Sequence, residues 1–292
     1  MSTLDAAVTA TLTMVMGRRV QIRRRSPIAG GSINRTERLD TNAGSFILKS
    51  NDSAPEGFFH AEADGLRALA TRERLLAVPK VVACADRRPW FIVLEDLGDG
   101  SRATDFDEHL GRGLAALHRA GANQFGFGRD NFCGLTPQPN PWTDRWVEFY
   151  AVSRLGVQVR LARDSGHLSV TETATIERII ARLSRLIDEP PEGPALIHGD
   201  LWSGNVHVAA GGRPALIDPS AYYGHREAEL GMMTLFGGFS GRVFEAYDDA
   251  YPLEPGWRER NGLYQLYHLL NHLNLFGSGY RASVMAQAAR FI

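Results

Sequence analysis

The segment 196–219, LIHGDLWSGNVHVAAGGRPALIDP, constrains the fold more than any other part of this 292-residue chain. An apolar start runs into a polar loop that contains Asp200 and Asn205, and two short strand-like segments follow, separated by a Gly-Gly pair. The second of these segments ends on Asp218. The pattern predicts a β-hairpin with two carboxylates and an amide at its open end. Such hard oxygen ligands suit Mg²⁺.

Asp200 and Asn205 have the spacing of the catalytic loop of protein kinases, in which the Asp accepts the proton of the attacking hydroxyl and the Asn binds Mg²⁺. Asp218 falls where another metal-binding Asp of that fold stands. An alternative remains open, because this spacing also occurs by chance in loops and an Asp before a Pro can simply open a turn. The hairpin context and a lysine upstream favour the kinase interpretation. His198, beside a glycine, is predicted to brace the loop through hydrogen bonds.

The lysine upstream is one of only two in the chain, Lys49 and Lys80, although lysine and arginine together number 32. Lys49 ends a strand-like run, Ser-Phe-Ile-Leu-Lys. A compact ammonium fits between phosphate oxygens better than a planar guanidinium does, so Lys49 is predicted to bind phosphate. The alternative is an ordinary surface lysine, which is the interpretation we give to Lys80.

A glycine-rich turn precedes Lys49 and contains Gly30, Gly31 and Ser32. Glycine lets the backbone approach a phosphate closely, with its N–H groups free to donate. We predict that these three residues bind the nucleotide, although Gly-Gly is also common in hairpin turns.

A helical pattern follows in which Phe59, Glu62, Leu66 and Leu69 share one face. An acid is costly to bury without a partner. Glu62 is therefore predicted to pair with Lys49, as in the Lys–Glu pair of kinases; a rim carboxylate that faces water is the alternative.

An apolar strand then exits into Glu95, Asp96 and Leu97, which we predict to be a hinge whose backbone groups bind adenine. The domain boundary is placed there, giving a nucleotide-binding lobe at 1–97 and a catalytic and substrate-binding lobe at 98–292. The predicted fold is α+β: a small antiparallel sheet with one main helix, then a larger, mainly helical lobe.

Three patterns predict the helices of the second lobe in more detail. The spacing of the aromatic residues Trp142, Trp146 and Phe149 predicts one helix over 141–163. Capping-box spacing predicts helix starts at 104–107 and 169–172.

Composition limits the partners. The formal net charge is −1, so no global field favours nucleic acid or an anionic membrane, and an arginine-rich segment at 18–25 is better explained as a solvated edge strand. No apolar stretch is long enough to span a membrane, and no export signal is apparent. Two cysteines without metal-ligand spacing, Cys84 and Cys133, suggest a reducing compartment, and the cytoplasm is predicted.

Together these motifs resemble the fructosamine kinase (ketosamine-3-kinase) family, which is related to aminoglycoside and choline kinases within the protein-kinase-like fold. The resemblance covers nearly the whole chain. Its more specific motifs are Asp-Leu-Trp-Ser-Gly-Asn at 200–205 and Leu-Phe-Gly-Gly-Phe at 235–239. Two differences from the family are Ser220, where Ala is frequent, and Glu229, where Asp is frequent.

The resemblance implies ATP-dependent, Mg²⁺-assisted phosphorylation of a sugar hydroxyl on a ketosamine, which is a deglycation repair reaction. Asp200 would be the catalytic base, and Asn205 and Asp218 would bind the metal. Trp202 is the candidate platform for the substrate, unless it only packs. An aminoglycoside or another amino-alcohol is the alternative substrate, and a non-catalytic ATP-binding regulator is a further alternative. The chain is expected to be a monomer or a weak homodimer, and its sequence does not identify the sugar or the amine carrier.

Overall fold

The computed structural model describes residues 3–29, 33–70, 75–85 and 87–292. The N-terminal part contains an antiparallel sheet with the strand order β1-β2-β3-β5-β4. Its elements are α1 (Thr3–Met16), β1 (Ile22–Pro27), β2 (Arg35–Thr41), β3 (Gly44–Ser50), α2 (Phe58–Leu69), β4 (Val81–Cys84) and β5 (Phe91–Glu95). The arginine-rich β1 lies at one edge, where charged side chains remain solvated and discourage further strand pairing.

The two helices cover opposite faces of this sheet. Successive residues of a strand point to opposite sides, and in β5 Val93 packs in the cluster that contains α1, whereas Ile92 and Leu94 pack in the cluster that contains α2. The predicted main helix of this part is α2, and α1 is a further helix at the N-terminus. The central strand β3 carries Lys49, with β2 and β5 paired on its two sides.

The C-terminal part is mainly helical. Its elements are α3 (Phe106–His118), β6 (Asn131–Cys133), β7 (Thr136–Gln138), α4 (Trp146–Phe149), α5 (Gly156–Asp164), α6 (Val170–Ala181), β8 (Ala195–Ile197), β9 (Val206–Val208), β10 (Pro214–Leu216), β11 (Tyr222–Gly224), α7 (Arg226–Leu235), α8 (Gly241–Ala250), α9 (Trp257–Phe276) and α10 (Arg281–Ala288). The short strands pair as β6 with β7, β8 with β11, and β9 with β10. The α+β fold is as predicted, whereas the boundary at Leu97 remains a prediction.

The helix predicted over 141–163 begins only at Trp146 and is not a regular α-helix throughout. Trp142 lies before the helical segment and is 46% exposed, and a π-helical segment at Tyr150–Leu155 separates α4 from α5. This segment carries Arg154, which is fully buried; its guanidinium donates to the carbonyl of Pro139 at 2.8 Å and stacks 3.8 Å from the ring of Tyr222. The π-helical segment therefore accompanies a buried cation with partners from other parts of the chain, which residue spacing alone does not reveal.

The two capping-box predictions have different outcomes. At Ser169 the box forms: the hydroxyl of Ser169 accepts the N–H of Glu172, and the Glu172 carboxylate accepts the N–H of Ser169. The box at 104–107 does not form, because the helix begins after Asp105 and Asp107 instead accepts the hydroxyl of Ser240 at 2.6 Å. Asp107 therefore contacts the residue before α8 and does not cap its own helix.

Candidate active site

The predicted hairpin is formed by β9 and β10, whose residues pair from 206 opposite 216 to 208 opposite 214. The N–H of Ile217 donates to the carbonyl of Asn205 at 3.1 Å, which continues the pairing beyond the strands. Asn205 and Asp218 are consequently held side by side at the open end, as the sequence predicts.

His198 braces the loop that precedes the hairpin. Its ring is fully buried, Nε2–H donates to the carbonyl of Ile217 at 2.8 Å, and Nδ1 accepts the N–H of Asp200 at 3.3 Å. Burial lowers the pKa of His198, which favours the neutral tautomer that these two hydrogen bonds require. The predicted structural role of His198 is confirmed.

The loop has a second support that our sequence analysis missed, Glu229 on α7. Its carboxylate accepts the N–H groups of His198 and Gly199, the latter at 3.2 Å, and its side chain is fully enclosed. The sequence did contain a signal, because Glu229 is an acid between apolar neighbours, the same pattern that identified Glu62.

Lys49 occupies the centre of an ion-pair cluster. It is 4% exposed, and its Nζ lies 2.5 Å from Oε1 of Glu62 and 2.5 Å from Oδ1 of Asp218. Burial disfavours its charge, but the attraction of Asp218 and Glu62 outweighs burial and raises the pKa of Lys49 above its ordinary value. The predicted Lys49–Glu62 pair is present, and the ammonium also reaches the hairpin.

Helix α2 is held close to the segment that follows Asp218. At Gly65, one turn beyond Glu62, a Cβ atom would lie 3.2 Å from Pro219 and 3.4 Å from Ala221. Glycine therefore allows an approach that brings the Glu62 side of α2 to the hairpin end.

Asp218 has an unusual backbone. Its φ of 58° makes it the only non-glycine residue with positive φ in the described ranges. Such conformations are costly and persist where the surroundings impose them, often at functional sites. The side chain of Asp218 is 39% exposed, so its carboxylate is accessible from the cavity while one oxygen accepts Lys49.

Asp200 and Asn205 are linked within the loop. Nδ2 of Asn205 donates to the backbone carbonyl of Asp200 at 2.7 Å and lies 3.5 Å from its carboxylate. Burial, together with the charges of Glu229 and Asp218, raises the pKa of Asp200 well above its ordinary range, while Asn205 acts in the opposite direction. A raised pKa makes a carboxylate a better proton acceptor.

These side chains border one cavity of about 470 Å³. The chemically important residues on its wall are Lys49, Glu62, Asp200, Trp202, Asn205 and Asp218. Trp202 is 40% exposed, and its ring lies so close to Gly204 that a Cβ there would be 2.2 Å from it. The predicted chemical residues are therefore together, and Trp202 presents an indole surface to the same space.

The predicted hinge is not on that wall. Glu95, Asp96 and Leu97 are absent from the described lining of the cavity. The Asp96 carboxylate instead accepts the hydroxyl of Ser45 at 2.6 Å and the N–H of Gly98 at 3.0 Å. Their role as a hinge stays a prediction.

The glycine-rich turn is not described at its centre. Gly30, Gly31 and Ser32 lie outside the described residues, so their predicted contact with phosphate stays a prediction. Ile33 and Asn34, which follow them, line the cavity.

The chain is similar to known proteins over nearly its whole length. A model of the fructosamine kinase family matches residues 4–292. The chain belongs to the fructosamine kinase family. A relative from Synechocystis sp., described as a ketoamine kinase, is 39% identical over 271 residues, covering 92% of this chain and 90% of that protein. The protein-ribulosamine 3-kinase of Arabidopsis thaliana, described as chloroplastic, is 40% identical over 276 residues, covering 92% and 83%.

Solved structures agree with this fructosamine kinase assignment. A crystal structure from Thermobifida fusca, described as a fructosamine-3-kinase, has a TM-score of 0.87 and 35% identity, covering 97% of this chain and 98% of its own. The aminoglycoside phosphotransferase APH(4)-Ia has a TM-score of 0.62 at 18% identity, covering 98% and 99%, and shares the fold. No helix in the described part of this family member is long and apolar enough to cross a membrane.

Proposed function

We propose that this protein transfers the γ-phosphoryl group of ATP to a sugar hydroxyl of a ketosamine, and so prepares a glycated amine for repair. The observation that carries the proposal is the convergence of Lys49, Asp200, Asn205 and Asp218 on one cavity. Phosphoryl transfer depends on positioning and on charge stabilisation around the phosphate oxygens, and these residue types provide both.

Lys49 would bind the phosphates of ATP. Its ammonium is buried, positively charged and fixed by Glu62, so little reorganisation is needed when phosphate oxygens arrive. In the described structure its second partner is Asp218. We infer that the phosphates take a position between Lys49 and the hairpin end.

The donor set at the hairpin end fits Mg²⁺. Nδ2 of Asn205 is used by the backbone of Asp200, which leaves the amide oxygen as its ligand, and the exposed part of the Asp218 carboxylate supplies a charged oxygen. Both are hard ligands of the kind that Mg²⁺ prefers. When bound, Mg²⁺ would neutralise charge that develops on the phosphate oxygens.

Asp200 would act on the acceptor. As the hydroxyl oxygen forms its bond to the γ-phosphorus, the bond from that phosphorus to the bridging oxygen of ADP breaks, and Asp200 takes the hydroxyl proton. His198 and Glu229 hold the loop that carries this carboxylate. Trp202 would offer an apolar surface to the sugar or to the stem of its amine.

The ketosamine is favoured over an aminoglycoside as substrate because of the relatives. Those with curated names act, by those names, on ketoamines or protein-bound ribulosamine at 39–40% identity. The aminoglycoside enzymes share the fold alone at 18–19% identity.

ADP release tests the proposed substrate. Purified protein with Mg·ATP is given the ribulose and fructose adducts of a lysine derivative, an aminoglycoside, or no acceptor, with Asp200→Asn as the inactive control. We expect wild-type ADP release to depend on a ketosamine. Equal release with no acceptor, or release with the aminoglycoside alone, would contradict the proposal.

A further inference from the structure

A second group of ligand atoms includes Asp200, which lines the cavity, and two buried residues that are not among its lining residues. Sγ of Cys133, a carboxylate oxygen of Asp200 and a ring nitrogen of His268 all lie within 4.8 Å of one another. Cys133 ends β6 and His268 lies in the middle of α9, so three separate elements contribute. Cys133 and His268 are 1% and 4% exposed, whereas Asp200 borders the cavity.

His268 has an unused polar atom. Its Nδ1 is buried and has no hydrogen-bond partner among the described residues. Buried polar atoms are nearly always paired, and leaving one unpaired costs free energy. The unpaired Nδ1 thus belongs to a histidine whose ring also contributes a nitrogen to this group of ligand atoms.

We propose that Cys133, Asp200 and His268 bind one thiophilic divalent cation of the Zn²⁺ class. Sulfur, imidazole nitrogen and carboxylate oxygen are the ligands that Zn²⁺ takes, whereas Mg²⁺ prefers oxygen alone. Three protein ligands leave a fourth position for water or another ligand. Bond lengths of about 2.0–2.3 Å place ligand atoms about 3.5 Å apart, and the three atoms here lie within 4.8 Å of one another, so small side-chain movements suffice to bring them to that separation.

The surroundings of Cys133 favour such a site. Nδ2 of Asn271 lies 3.2 Å from its Sγ and 3.3 Å from its carbonyl oxygen, which fixes the orientation of the thiol. Groups that orient a ligand in this way contribute to metal affinity. When the metal–sulfur bond forms, the thiol proton is released to solvent.

Metal binding at this site would inhibit the kinase, a consequence that rests on the proposed function of Asp200. A carboxylate coordinated to Zn²⁺ cannot accept the proton of the sugar hydroxyl. The Mg²⁺ site proposed at Asn205 and Asp218 uses other residues, so inhibition would not require displacement of Mg²⁺.

Cobalt binding tests the site without turnover. Co²⁺ is added to the full chain without nucleotide, and the thiolate-to-cobalt charge-transfer absorption is measured. We expect the absorption in wild type and in Cys84→Ser, loss of it in Cys133→Ser and Cys133→Ala, and at least about tenfold weaker binding in His268→Gln. Absence in wild type, or persistence in both folded Cys133 variants, would overturn the site. Because no substrate is present, this result is independent of the kinase activity.

Zinc titration of ADP release tests the consequence. With saturating Mg·ATP and ketosamine, we expect Cys133→Ser to need at least about tenfold more Zn²⁺ than wild type for half inhibition, and Cys84→Ser to match wild type. Equal sensitivity of the two variants would place the inhibition at another site and overturn the proposed consequence.

Discussion

The two aspartates on the described wall of the cavity, Asp200 and Asp218, lie in different surroundings. Asp218 is 39% exposed, has a strained backbone and is paired with the Lys49 ammonium. Asp200 is partly buried, forms no ion pair with a cation among the described residues, and has a raised pKa because of burial and the nearby acids. When the surroundings of two acids in one site differ enough to separate their pKa values, the two acids commonly have different chemical roles. We infer a metal side of the site around Asp218 and a base side around Asp200.

The largest effect is expected on the metal side. Asp218→Asn replaces a charged metal ligand by a neutral amide. Charge stabilisation of the transition state by a bound metal ion is worth several kcal/mol. At 1.36 kcal/mol per tenfold change in rate, its loss corresponds to about a 10³-fold or greater loss of turnover. Asn adopts positive φ as readily as Asp, so the fold is expected to remain. ADP release and circular dichroism measure the two effects. Wild-type turnover by the folded variant would remove Asp218 from the metal site.

A smaller loss is expected on the base side from Glu229→Gln. Glutamine offers one acceptor oxygen where the carboxylate serves two N–H donors, so the loop shifts and kcat falls by up to about 10²-fold. The KM for ATP is expected to change little. Glu227→Gln, another buried acid of α7, is the matched control because Glu227 pairs with Arg260 and not with the loop. An equal loss of kcat in both variants would make Glu229 merely structural.

The lysine of the metal side permits a test of shape at constant charge. Lys49→Arg keeps the cation but places a planar guanidinium between two carboxylates in a site that is 4% exposed. Activity is expected to fall about tenfold or more, with a higher KM for ATP. Lys80→Arg, at the exposed second lysine, should behave like wild type. If the two variants are equally active, Lys49 lies outside the phosphate site.

The smallest expected effect is on the pH dependence of protein stability, and it involves α7, the helix that carries Glu229. Burial, followed by the charges of Arg226 and Arg260, lowers the pKa of His225 from 6.5 to about 3. A folded-state pKa below the unfolded value stabilises the protein above the unfolded pKa, and this stabilisation is lost as pH falls from 6.5 toward 3. His225 caps α7 by accepting the N–H of Glu227. His225→Asn keeps the cap without titrating.

Urea unfolding between about pH 7 and about pH 4 measures this contribution. The midpoint of wild type should fall more steeply with acid than that of His225→Asn, whatever the absolute stability of the variant. Parallel curves would show that His225 does not contribute to the acid sensitivity.

The sequence predicted the chemical centre well, because its residues are close along the chain or follow a strong local pattern. Segment 196–219 forms the predicted hairpin. The position of Glu62 on an apolar helix face correctly predicted its ion pair with Lys49. Where local patterns were decided by distant contacts, prediction failed. The capping box at 104–107 does not form because the Asp107 carboxylate accepts the hydroxyl of Ser240 instead. The helix predicted over 141–163 starts only at Trp146 and contains a π-helical segment that carries buried Arg154.

Residues brought together only by folding were also missed. Glu229 reaches the loop from α7, and Cys133 meets His268 and Asp200 from widely separated positions. The spacing of the two cysteines excluded a metal motif along the chain, but it carries no information about ligands contributed by other elements.

The division of roles between Asp200 and Asp218 is tested most directly by Mg·ATP calorimetry on Asp200→Asn and Asp218→Asn, beside ketosamine-dependent ADP release. Asp200→Asn should bind Mg·ATP with near wild-type affinity yet lose about 10²–10⁴-fold in turnover, the usual contribution of a general base. Asp218→Asn should lose both. If Asp200→Asn lost nucleotide binding as completely as Asp218→Asn, Asp200 would act on the metal or the fold, and the proposed division would be wrong.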